Sequence, residues 1–129
     1  MANLSEWIPR GIFIFIIIAL LATGYREYQH REKLLEMQNN LADIKNTLAL
    51  EYTRQIKIKY SPLWPAITPQ LFSDRKIPSN PIPAPSNEVT EIKMARPLKP
   101  QDGQDNGGWI YNRMTGEIRP DSRKYFKYK

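Results

Sequence analysis

Between Arg10 and Arg26 runs an uninterrupted, uncharged apolar block, GIFIFIIIALLATGY, and it constrains this chain more than any other feature. A core helix of a globular domain is apolar along one stripe; this block is apolar on every side. As a helix at about 1.5 Å per residue it reaches about 22 Å. A bilayer core is about 30 Å thick, so the block spans only if its ends are extended. Trp7 and Ile8 extend it on one side, and Arg26 can reach back to the headgroups along its aliphatic stem. The block therefore reads as a membrane anchor carried by Ile12, Phe13, Ile14, Phe15, Ile16, Ile17, Ile18, Leu20 and Leu21. A secretory signal has a similar apolar region, but no clear small-x-small cleavage site ends this one.

The chain has 129 residues, so the anchor leaves room for one small folded region. Its formal net charge of +6, from 19 Lys+Arg against 13 Asp+Glu, favours anionic partners without choosing among lipid, nucleic acid and acidic protein. There is no cysteine, which excludes disulfides and thiolate chemistry. His30 is the single histidine, so one chain cannot build a multi-His metal site. No phosphate-cradling glycine loop is present, since Gly103…Gly107-Gly108 lacks a Lys-Ser/Thr partner. No enzyme is expected, and no cofactor.

Four zones follow. Residues 1–10 form a short polar head and 11–25 the membrane segment. Residues 26–60 read as an amphipathic helix continuing the anchor, and 61–129 as a Pro-rich loop, a small β domain and a basic tail. On the helix, Leu34, Met37, Leu41, Ile44, Leu48 and Tyr52 recur at spacings of three and four, making one packing face. That face must cover either a sheet of the same chain or neighbouring helices. Residues 55–60, QIKIKY, fit a strand by alternation and equally continue the helix; Ser61-Pro62 ends either. Of the 11 prolines, nine fall between 61 and 100. The run Ile77–Pro85 must be extended, and it cannot be a central strand because proline lacks the ladder N–H. Glu88–Met94 is the one candidate strand in that region.

The last zone holds the sharpest signal, Gly107-Gly108-Trp109-Ile110-Tyr111-Asn112-Arg113-Met114-Thr115-Gly116-Glu117-Ile118-Arg119. Trp109–Tyr111 and Glu117–Arg119 suit two short strands, and Asn112–Gly116 the turn between them, with Gly116 fitted for positive φ. Gly108, Trp109, Tyr111, Asn112, Gly116 and Ile118 define the hairpin. A two-stranded hairpin is unstable alone, so the Trp109/Tyr111 face is expected to pack on the helix around Leu41, Ile44 and Leu48.

The pattern GGWxYNxxTGEIRP resembles the C-terminal hairpin of type IV pilin-like proteins, including type II secretion pseudopilins. Leu71-Phe72, Lys76-Ile77-Pro78, Asn80-Pro81 and Val89-Thr90 look like that family's loop leading into its first strand. An apolar helix running into an amphipathic one and then a small sheet matches the family layout along nearly the whole chain. The resemblance implies an α+β fold with a small antiparallel sheet, and a structural subunit of a pilus or pseudopilus. It implies membrane lipid, other pilin-like subunits and inner-membrane assembly proteins as partners. The alternative is a bitopic accessory protein that scaffolds such a machine without polymerising. In the family a leader ends in Lys/Arg-Gly before Phe-Thr-Leu-Ile-Glu. Here Arg10-Gly11 is the candidate processing site, and Ile16 stands where the glutamate would be. The Lys/Arg count around the anchor (Arg10 against Arg26, Arg31, Lys33 and Lys45) favours a cytoplasmic C-terminal region. The resemblance implies a periplasmic one, anchored by a single pass in a bacterial inner membrane, and that is the reading adopted.

Two side readings complete the sequence. Asp102, Asp105 and Asp121 carry the oxygen chemistry of a Ca²⁺ site, but the 12-residue loop pattern is absent and a solvated loop is expected. The tail Arg123–Lys129 mixes four cations with three aromatics, a combination seen on single-stranded nucleic acid and on anionic membranes. Nucleic acid is not expected as a partner, and a frayed terminus is.

Overall fold

A computed structural model describes residues 4–58 and 63–129. Helix α1 spans Leu4–Ile58, 55 residues, and is followed by strands β1 (Val89–Ile92), β2 (Trp109–Asn112) and β3 (Glu117–Pro120). One-turn 3-10 helices sit at Pro69–Leu71 and Pro100–Asp102. The architecture is α+β, as expected. The chain divides into two compact units, Met1–Lys33 and Leu34–Lys129.

In the first unit every described side chain from Pro9 to Lys33 is exposed. Phe15 is 72% exposed and Leu21 68% exposed, values that water would penalise across the whole stretch. The Thr23 hydroxyl is satisfied within the helix, because Thr23 Oγ1 donates to the Ala19 carbonyl at 2.9 Å. The helix is long and apolar enough to cross a membrane. It already includes Leu4–Arg10, residues expected as a separate head. Pro9 lies inside it, where the missing N–H removes one bond of the first turns.

In the second unit, Gln55–Ile58 continue α1 and do not form a strand. Adding a residue to an existing helix gains a hydrogen bond without a new nucleation cost, whereas a strand there would need a partner. The remainder of the ambiguous segment and its expected stop at Ser61-Pro62 lie outside the described residues.

The sheet has the order β1-β2-β3. β2 and β3 pair antiparallel, with Tyr111 opposite Ile118, as a hairpin must. β1 pairs parallel to β2, with Val89 beside Trp109, so the sheet is mixed where an antiparallel one was expected. The cause is the connection: residues 93–108 form a crossover long enough to return the chain to the same end of the sheet.

β2 is the central strand and is buried along its whole length. Its Trp109 and Tyr111 join Met37, Leu41, Ile44 and Leu48 of α1, together with Phe72, Ile82 and Ile118, in one core. Each buried aliphatic side chain contributes about 1.5–3 kcal/mol. Leu34 packs at the margin of the same core. Ile110, on the other face of β2, is also fully buried, with its Cδ1 close to Gly103.

Candidate assembly surfaces

The hairpin is fixed by contacts on both sides of its turn. Gly116 N–H donates to the Asn112 carbonyl at 2.8 Å, and Gly116 has φ +76°. A Cβ there would also drive into the indole of Trp64. Trp64 in turn stacks on Tyr52, with ring centroids 4.1 Å apart and planes within 4°. The last residue of the expected packing face therefore reaches the hairpin turn through a second aromatic. Trp64 N–H donates to the Arg113 carbonyl at 2.8 Å, and Arg113 Nε donates back to the Trp64 carbonyl at 2.9 Å. Tyr111 Oη donates to the Pro65 carbonyl at 2.7 Å, and burial raises this phenol above its ordinary pKa. Sequence reasoning missed Trp64; the available signal was a large aromatic directly before Pro65.

Three polar side chains tie the irregular segments to the strands. Trp109 Nε1 donates to the Pro78 carbonyl at 2.8 Å. Buried Asn80 donates to the Gly108 carbonyl at 2.8 Å and accepts from Ile82 N–H at 3.1 Å. Buried Asn112 donates to the carbonyls of Met94 and Arg96, while its oxygen accepts from the N–H groups of Met94 and Met114. The Pro-rich run thus packs as an extended loop, with Pro81 and Ile82 buried. Gly108 has φ +72°, and a Cβ on it would strike the Glu88 carbonyl oxygen.

Each of the three aspartates is engaged by groups of the surrounding loops. Asp102 takes a two-pronged contact from Arg96, at 2.7 and 2.8 Å, and accepts from Lys99 N–H. The guanidinium, then the Lys99 amide, hold its pKa at about 2. Asp121 is buried and accepts from the N–H groups of Gln104 and Asp105, both at 3.0 Å, and from Thr90 Oγ1 at 3.2 Å. Asp105 accepts from Arg123 N–H at 2.9 Å. Their oxygens serve as loop clamps, and no group of three or more metal-ligating side chains occurs among the described residues.

The tail is not frayed, which corrects the sequence expectation. Arg119 Nη1 donates to the Phe126 carbonyl at 2.8 Å, and its guanidinium lies 4.7 Å from the Phe126 ring centre. Tyr125 and Tyr128 pack against the core. With the rings turned inward, Arg123, Lys124, Lys127 and Lys129 remain exposed.

The anchor residues Ile12–Ile18, Leu20 and Leu21 lie uncovered on α1, at 41–72% exposure. The candidate processing site, Arg10 and Gly11, also lies within α1. Comparisons with protein families, with curated proteins and with solved structures return no match for this chain.

Proposed function

We propose that this chain is a membrane-anchored, pilin-like structural subunit of a type IV pilus or a type II secretion pseudopilus. The observation that carries the reading is a division of labour along α1. The stripe Met37–Leu48 is buried against the chain's own sheet, while Ile12–Leu21 is exposed along its length. An uncovered helix stretch apolar on all sides matches lipid, or a packed bundle of identical helices, as its surroundings. The hairpin pattern GGWxYNxxTGEIRP supports the family. The anchor would cross an inner membrane once, with the sheet-bearing region in the periplasm, and later enter a surface filament. The work is assembly; no catalytic role is assigned.

A second reading has its own observation. Ile16 stands where a processed subunit would carry a carboxylate, and Arg10-Gly11 is wound into helix. Both features suit a bitopic accessory protein that stays in the membrane and scaffolds the machine. N-terminal sequencing of the protein extracted from membranes separates the two. A start at Ile12 is the expected outcome for the subunit; an N-terminus upstream of Arg10 selects the scaffold.

A further inference from the structure

Two patches on different faces of α1 complement one another. Gln38, Leu41, Ala42 and Lys45, with Tyr128 and Lys129 of the tail, line a groove of about 220 Å³. Its floor is apolar at Leu41 and Ala42 and its rim carries two ammonium groups. The tail segment 123–129 adds further cations and contains no acidic side chain. At about 100° per residue, Glu36, Asp43 and Leu50 form a second stripe, about 140–180° around the helix from Leu41 and Lys45 and about 80–120° from Ala42. Leu50, at 74% exposure, is the most exposed large apolar side chain described in the Leu34–Lys129 unit. Neither Glu36 nor Asp43 forms an ion pair with a described residue.

We propose that the groove receives the Glu36–Asp43–Leu50 ridge of a second copy of this chain. The inference rests on the reading that copies of the chain assemble, and it names the surfaces they use. Leu50 enters the apolar floor beside Ala42, where the small side chain leaves room. The carboxylates of the ridge meet Lys45 and the basic tail, which fixes which face of the helix can dock. Groove and ridge share no residue and are centred on different faces of the helix, so one copy can engage two neighbours at once. Such a head-to-tail contact propagates into an open helical array or a ring, whereas a self-complementary patch would stop at two copies.

The absence of cysteine makes the test direct. Ala42→Cys and Leu50→Cys are made singly and together in the full-length chain, and membranes are treated with a mild oxidant. Both sites are exposed, so neither substitution opens the core. The double variant should give a ladder of disulfide-linked multimers. The two single variants should remain monomeric alone and give a dimer only when co-expressed, because a disulfide needs Cβ atoms within about 4.5 Å. Lys45→Glu in the double variant should cut the ladder at least tenfold, and adding Asp43→Lys should restore it. Dimerisation of Leu50→Cys alone would show a two-fold contact and overturn the proposal. So would the absence of every cross-link from protein that stays with membranes through a carbonate wash. Release of the protein by that wash would instead overturn the membrane-anchor reading.

Discussion

Gly116 carries two independent demands at one position. Its φ of +76° lies in the left-handed region, and the Trp64 indole occupies the space a Cβ would take. The first demand alone costs about 1–2 kcal/mol for a residue with a Cβ. Gly116→Ala should therefore lower stability by more than that, with displacement of Trp64 from Tyr52 as the added cost. Chemical denaturation in detergent, followed by tryptophan emission, checks both the midpoint and the lost stack. Asp102 makes a different kind of prediction. Its pKa is held at about 2 against an ordinary 3.8, so the ionised form is favoured by folding. The stabilisation is complete above the ordinary value and disappears as pH falls through about 2. The protection of the Lys99 amide, whose N–H it accepts, measured as exchange relative to the unfolded-chain rate at each pH, should fall over that window. In Asp102→Asn that protection should already be low at neutral pH, because the charge that Arg96 and Lys99 face is gone.

At the level of elements, α1 serves two environments with one continuous backbone. A charge introduced in mid-anchor should be costly, about 2.5–3.5 kcal/mol on insertion scales. Ile17→Arg should thus shift much of the protein from carbonate-resistant membranes to the soluble or degraded fraction, as read by fractionation and immunoblotting. A core substitution of similar size would leave the fractionation unchanged. These two roles of α1 were legible because helical spacing reports burial directly: the stripe from Met37 to Leu48 and the uniform apolar block differ at a glance. Strand β1 and the hairpin were legible from β-branched and aromatic residues bounded by Gly and Pro. The direction of β1 was not. It depends on the path of residues 93–108, whose order comes from side-chain clamps such as Asn112 and Asp121 that leave no periodic trace. For the same reason the tail looked free. Its attachment rests on Arg119 reaching Phe126, a pairing that no local pattern announces.

For the whole molecule, the sign of the topology is the sharpest open test of the proposed function. A periplasm-active reporter fused after Lys129 should be active, and a cytoplasm-active one silent. The reverse result would follow the Lys/Arg count around the anchor and remove the pilin-like reading. The order of the core along the chain has a further consequence, which concerns time. The stripe beginning at Met37 is completed by Trp109, Tyr111 and Ile118, far along the sequence, after Phe72 and Ile82 have joined it. Roughly 80 residues separate them, about 4–16 s of synthesis at ~5–20 residues per second. The apolar anchor leaves the ribosome well before its own domain can close. During that interval the stripe has no sheet to cover it, so the core cannot close until the hairpin has been made. Synthesis of the hairpin acts as the trigger that commits this region to its native state, and chains released before it expose a naked apolar face to proteases and to each other.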